Sequence, residues 1–352
     1  MRALKIKIKG LKKPQFERLK ELTHHAKNLY NQALWTLREA FEATGKYFSY
    51  PQMDKVMKQV TNLEGEVNYK LLKAKVAQQT LRRLDKNFKS FFSCHPDFQK
   101  NPGKYKGKPK PPKYKPDKHD NLIYNYQCFQ VKGKFIIEKG PEITLPNGKV
   151  FPVGEFIRYE QVVVLEKGLE IKVPKQLWDK EIKQVEIIPK HTSFHAVFVY
   201  EENPDDFKQV KQNVQVMSID LGLNNLATCV TNGVIEPFII DGRRLKSINA
   251  YYNKKKAKMQ SKLSRRGKKW SRKLQSLTDW RNAAVNDYMH RATSYVVKTC
   301  VKHGISKVVV GDVVKSLDQI NLGKRTNQNF VNLSLGQFVD NTTTNLGHTV
   351  SN

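Results

Sequence analysis

The sequence predicts a mixed α/β, multidomain protein in which a small antiparallel β-barrel, interrupted by a helical insertion, precedes an α/β core. Three observations predict it. A short alternating strand opens the chain and two long helical patterns follow it. A run of short strands, punctuated by Gly and Pro, occupies residues 121 to 200. From Val214 onward three strands, a helical crossover and a Val-rich strand succeed one another. With 352 residues, the chain can hold two or three domains with real cores.

The opening MRALKIKIKG alternates Leu4, Ile6 and Ile8 with Lys5, Lys7 and Lys9, which is the period of a strand and not a signal-peptide core, so secretion is not expected. Between residues 14 and 43, Phe16, Leu19, Leu22, Ala26, Leu29, Ala33, Leu37 and Phe41 recur every three or four residues, with Pro14 at the start. This predicts an amphipathic helix. A shorter helical piece covers Met53 to Val60, and a second long helix is predicted over 69 to 92 through Leu72, Val76, Leu81, Leu84, Phe88 and Phe91. Residues 100 to 118 then hold eight lysines and five prolines, which neither a helix nor a central strand tolerates. Two readings stand for this segment: a solvated connector, or an arm that tracks phosphates with Tyr105 and Tyr114 interleaved.

Strand-like runs follow: CFQVKGKFIIE, YEQVVVL, LEIKVP, QVEIIP and FHAVFVYEE, with a turn at Asn147-Gly148. The strand around Ile6 can pair into this set, which makes the helices an insertion. His191 and His195 are four apart, but in a strand pattern that spacing does not bring them to one face as metal ligands.

VQVMSID is an apolar strand ending in Asp220, and LATCVTNGVIEPFIID adds two strands across Thr231-Asn232-Gly233. A helix over 279 to 303 aligns Val285, Tyr288, Met289, Ala292, Val296, Cys300 and Val301, with Gly304 as its stop. ISKVVVGD is the closing buried strand. This is the element order of an RNase H-like core.

The charge balance is the anomaly, with 63 Lys and Arg against 32 Asp and Glu and a formal net charge of +31. Such an excess points to a polyanion, nucleic acid before an anionic membrane surface. No run of about 18 apolar residues is present, so no transmembrane helix is expected. Cys94, Cys128, Cys229 and Cys300 are scattered without a C-x-x-C pair, which argues against a disulfide framework and a zinc site. Residues 243 to 273 hold fourteen Lys and Arg and no acid. Solvated charged helices normally mix signs. Arg243, Arg244, Lys254, Lys255, Lys256, Arg265, Arg266, Lys268, Lys269 and Arg272 are therefore candidate nucleic-acid contacts, with Trp270 available for packing or stacking.

Asp220 stands where an apolar strand runs out before Gly222. Strand-end carboxylates of this kind hold paired magnesium ions in RNase H-like nucleases, although an Asp there can also simply form a turn. MSIDLGLNNLATCV, residues 217 to 230, resembles the first RuvC motif of the transposon-encoded TnpB (OrfB) family, relatives of type V CRISPR effector nucleases. AQQTLRRLDKNFKSFF resembles that family's helical recognition segment, and the β-rich stretch resembles its wedge domain. The resemblance implies RNA-guided DNA cleavage, with a guide RNA made from the transposon end, target DNA as the second partner and Mg²⁺ at the RuvC acids. It also implies a layout: a wedge-type barrel over 1–10 and 99–208, a recognition domain over 11–98, a RuvC domain over 209–340, and a polar tail over 341–352.

This chain departs from the pattern twice. The family's second acid is usually a Glu before an Asp-Leu pair, where this sequence has Gly311, Asp312 and Val313. Asp312, one residue along, is either a substitute ligand on the wrong face or a turn residue. The family's zinc ribbon and last catalytic Asp are also not matched, and DNTTTNLGHTVSN reads as polar and without the expected helix. Asp241 and Asp340 match no catalytic position and are expected to face solvent or cap a helix. The expectation is a C-terminally truncated, nuclease-deficient RNA-guided DNA-binding protein of the cytoplasm, associated with the nucleoid, binding Mg²⁺ weakly at most through Asp220. An active Mg²⁺-dependent endonuclease and a decayed transposon fragment are the alternatives.

Overall fold

In the computed structural model the chain divides into two compact units, Met1–Glu202 and Asn203–Asn352. The structure describes residues 1–105, 107–116, 118–139, 142–144, 146, 148, 150–152, 155–201, 215–311 and 335–347.

The first unit opens with β1 (Arg2–Lys7), in which alternate side chains turn inward. Three helices follow: α1 (Lys13–Thr44), α2 (Tyr50–Met57) and α3 (Ala74–Lys100). Pro14 pre-sets the first turn of α1, and the Lys12 N–H donates to the Gln15 side chain at 3.0 Å. Gly45 ends it with a φ of 68°, a left-handed position that a Cβ would strain. α3 starts later than its apolar spacing predicts. Tyr69 and Leu72 are buried, but they pack from turns, so their spacing reported burial and not helix. The helix then continues past Pro96, although proline has no N–H to give the preceding turn.

The remaining strands are β2 (Leu122–Asn125), β3 (Gln130–Lys139), β4 (Glu142–Thr144), β5 (Val150–Pro152), β6 (Glu155–Glu166), β7 (Leu169–Lys172), β8 (Ile182–Pro189) and β9 (Phe194–Tyr200). β1 pairs antiparallel with β9, with Ile6 opposite Ala196, so the three helices are inserted in the chain between β1 and β2, the two edge strands of one sheet. The predicted barrel is corrected here. Among the described residues the strands form open sheets, β1-β9-β8-β2, β3-β6-β7 and β4-β5, with no closure. Strand count and turn punctuation say that segments pair, not that the last meets the first, which needs a matched tilt and stagger. Instead, helices and sheet share one hydrophobic core, with Tyr30, Leu34 and Leu81 joining Tyr124, Val185 and Phe198.

The second unit contains β10 (Val216–Leu221), β11 (Asn225–Thr231), β12 (Phe238–Asp241), α4 (Arg243–Ser264), α5 (Arg272–His303), β13 (Lys307–Val310) and α6 (Leu335–Gly347). Its sheet has the order β12-β11-β10-β13; β13 is parallel to β10 and the other pairs are antiparallel. Met217, Ile219, Leu221 and Cys229 point to a core shared with Leu245, Val285, Met289, Val296 and Phe338. Burial pushes the thiols of Cys229 and Cys300 up, to about 12 and about 11. α5 begins earlier than predicted because Ser271 caps it, accepting from the Leu274 N–H at 3.2 Å.

The C-terminal segment read as polar and without helical pattern contains the end of α6. Leu335, Phe338 and Thr342 are buried at helical spacing, and the Thr342 hydroxyl donates back to the Phe338 carbonyl at 2.8 Å. A threonine thus occupies a core position there. Hydrophobicity alone does not reveal such a site, because the hydroxyl satisfies itself against its own helix.

Candidate nucleic-acid interface

Asp220 lies on β10 where burial alternates: Met217, Ile219 and Leu221 point inward, while Ser218 and Asp220 point to the exposed face. The carboxylate faces Thr228 across the antiparallel pair. On the parallel side Ile219 matches Val310, and the Gly311 N–H donates to the Ile219 carbonyl at 2.9 Å. A Cβ on Gly311 would stand 3.8 Å from Asp220 Oδ1, at ordinary van der Waals distance. The position beside Asp220 on the open face is therefore Gly311, which carries no ligand. Asp312 lies outside the described residues.

The described residues do not fit a two-magnesium centre. Paired ions need several carboxylates to fix their geometry and offset their charge. Among the described residues no three His, Cys, Asp or Glu side chains converge. Asp241 is exposed and serves as a cap: its Oδ1 accepts from the Arg243 N–H at 3.0 Å and lies 3.5 Å from the Arg243 guanidinium. Asp340 is exposed on α6.

The loop after Asp220 anchors the basic helix. The Gly242 N–H donates to the Asn224 carbonyl at 2.6 Å, and Lys246 Nζ reaches Asn224 Oδ1 at 2.7 Å. A Cβ on Gly242 would lie 2.6 Å from the Leu223 carbonyl oxygen and 3.0 Å from that of Asn224, both backbone atoms that cannot swing away. Gly242→Ala is accordingly expected to destabilise the protein by about 1–3 kcal/mol through overpacking. Chemical denaturation of the two forms measures it, and equal midpoints would refute the close approach.

α4 is built from good helix formers, yet only Leu245 and Asn249 are buried on it. α4 and α5 join through Tyr252, whose hydroxyl meets the Thr278 hydroxyl at 3.2 Å, and through Arg281, whose Nε donates to Asn249 Oδ1 at 2.8 Å. Lys254, Lys258 and Lys262 follow one another at four-residue steps on the exposed surface, about 6 Å apart along the axis. Lys255 and Lys256 lie over the rings of Tyr251 and Tyr252, each at 5.6 Å. Arg265, Arg266, Lys268, Lys269 and Arg272 are exposed at the turn into α5, and Arg244 lies 6.0 Å from the ring of Tyr288. Among the described residues, the only ion pair made by the fourteen cations of 243–273 is the one between Arg243 and Asp241. Like charges four apart on a helix destabilise it by a few tenths of a kcal/mol each, and cations at its N-terminus oppose the helix dipole. A polyanion relieves both.

Sequence reasoning missed the aromatic component of this hairpin. Trp270 is 45% exposed and its indole donates to Gln275 at 3.3 Å, but Tyr251 and Trp280, 50% and 46% exposed, are the rings that meet each other. They belong to different helices, so no local spacing marks them.

In the first unit, the Lys- and Pro-rich segment runs along α1. Arg38 donates to the Pro112 carbonyl at 2.8 Å, Asn31 donates to the Lys115 carbonyl at 3.1 Å, and His24 Nδ1 lies 2.9 Å from the Lys118 carbonyl. Arg38 also covers the ring of Tyr114 at 4.9 Å. Side chains of α1 thus supply the partners that a Pro-rich backbone cannot find in a sheet. Lys108, Lys110, Lys113 and Lys118 remain exposed.

Residues 197–317 match the family model OrfB_IS605, described as a probable transposase. TnpB-like protein MJ0751 of Methanocaldococcus jannaschii is 24% identical over 139 residues, 39% of this chain. The matched stretch spans about half of that relative, 48% of its length. Over these residues the chain is similar to transposase proteins of the TnpB type. Among solved structures, it is similar to a Cas12f1–sgRNA–target DNA complex with a TM-score of 0.48 and 12% identity, over 96% of this chain and 72% of that one. A CRISPR-Cas12f ternary complex matches with a TM-score of 0.32 and 13% identity, over 96% and 71%. Among the described residues no helix is long and apolar enough to cross a membrane.

Proposed function

We propose that this chain is an RNA-guided DNA-binding protein that holds a guide RNA derived from the transposon end, pairs it with target DNA, and does not cut. The observation that carries this reading is the stretch 243–273, α4 and the start of α5, with fourteen cations, no acid within it and one acidic partner just before it. Residues 1–10 and 99–208 take the wedge role, 11–98 that of guide recognition, and 209–340 that of an RNase H-like domain. The exposed lysines of the Pro-rich segment supply further phosphate contacts. The site of action is the nucleoid.

Filter binding across a salt series tests the partner. Structured RNA binds more tightly than a matched DNA duplex, and both affinities fall steeply with salt because counterions are released. Equal affinity for the two polymers, or a flat salt response, would sink the proposal.

The second reading, an active Mg²⁺-dependent endonuclease, is favoured by one observation, the exposed carboxylate of Asp220 at a strand end. The two readings separate in a cleavage assay with a matched guide, in Mg²⁺ and in Mn²⁺. The expected result is no cut product from the native chain or from Asp220→Ala, with RNA affinity equal in both. Cleavage that disappears on the substitution would overturn the inactive reading and point to Asp312 or another acid as the second ligand.

A further inference from the structure

We infer that Tyr251 and Trp280 form a stacking platform for an unpaired base of an RNA strand whose phosphates follow the cations of the α4–α5 hairpin. The inference rests on the RNA-binding reading above and adds the place and chemistry of a base contact. The two rings meet across the hairpin with centroids 5.4 Å apart and planes inclined by 67°. Together with Leu277 they line a shallow pocket of about 360 Å³. The seam beside them is already closed by the Tyr252–Thr278 and Arg281–Asn249 hydrogen bonds. The two helices are therefore joined independently of these rings.

Two large aromatic side chains left half in water forgo burial that would favour folding, and an edge-to-face pair leaves ring surface free to accept a flat π-system. A nucleobase is such a system. The charge around the pocket selects what carries it: Lys255 sits 5.6 Å from the Tyr251 ring and Lys254 is exposed next to it on α4. An apolar protein surface would have to desolvate these ammonium groups, whereas a phosphate backbone neutralises them. Base faces are hidden inside a duplex, so the occupant is single-stranded.

The test uses the full chain and a short single-stranded RNA carrying 2-aminopurine, with 5-iodouridine in a second probe. Native protein quenches the 2-aminopurine, and photocrosslinking of the iodouridine probe gives adducts on Tyr251 or Trp280. Changing both residues to Ala lowers single-strand affinity about tenfold or more with an unchanged salt slope, since the rings carry no charge. Duplex RNA affinity stays unchanged, and Trp280→Phe keeps most of the single-strand affinity. Crosslinks elsewhere, or native affinity in the double variant, would overturn the platform even in a protein that binds RNA. DNA of the same sequence bound more tightly would overturn the identity of the strand. A native chain that binds no RNA would overturn the RNA-binding reading, and the platform with it.

Discussion

Reversing Lys254, Lys255, Lys256, Arg265 and Arg266 to Glu is expected to lower RNA affinity by about a thousandfold or more at moderate salt and to flatten its salt dependence. On a single strand, each phosphate that a cation no longer neutralises takes about 0.7 from the slope of log affinity against log salt, so five such phosphates take about 3.5. Four of the five side chains are exposed, Lys256 is half-buried, and none is in an ion pair among the described residues. Their removal therefore breaks no internal bridge. The helix should survive the change. A Glu at 254 stands four residues before Lys258, the orientation that favours a helix, where two lysines now repel. Far-ultraviolet circular dichroism checks the fold and filter binding the affinity. A variant binding within about threefold of the native chain would return this surface to an ordinary solvated face.

The second large effect is on stability and belongs to the first unit. Asp120, 5% exposed, accepts from Arg83 and from Lys115 Nζ at 3.1 Å, while its own N–H donates to the Thr23 carbonyl at 2.9 Å. Both cations also flank the ring of Tyr30, Arg83 at 5.7 Å and Lys115 at 4.9 Å. The carboxylate thus ties α3 to the Pro-rich segment, while the backbone of the same residue holds α1. Asp120→Ala leaves the guanidinium of Arg83, 18% exposed, beside a second cation with no anion between them. Removing one partner of a buried pair costs about 3–5 kcal/mol because the other charge stays desolvated. For a unit of this size each kcal/mol is about 2–4 °C of Tm, so the fall expected by scanning calorimetry is about 6–20 °C. Asp120→Ala combined with Arg83→Leu should recover part of this stability. A Tm unchanged by the single substitution would mean that water, and not Asp120, satisfies Arg83.

Local period was sufficient for much of this protein. The three- and four-residue recurrence from Leu19 to Leu37 predicts the buried stripe of α1, and the alternation of Leu4 and Ile6 predicts a strand with one inward face. The apolar run ending in Asp220 likewise predicts a strand whose acid falls at its end. The excess of cations, and their concentration in 243–273, needs no coordinates at all. These features are legible because a helix or strand repeats its geometry every few residues, so burial writes a period into adjacent sequence.

What only the tertiary structure decided lies between segments far apart in the chain. The parallel pairing of β10 with β13 places Gly311, which has no side chain, next to Asp220. The docking of the Pro-rich segment along α1 depends on Asn31 and Arg38 meeting carbonyls from a distant stretch. The meeting of Tyr251 with Trp280 depends on how two helices cross. The open sheets replace a barrel because edge strands β1 and β2 do not meet, which no individual strand records. The physical reason is common to all four: a local period sets which face a side chain takes, whereas the partner across that face is chosen by packing and long-range register, to which the neighbouring residues carry no signal.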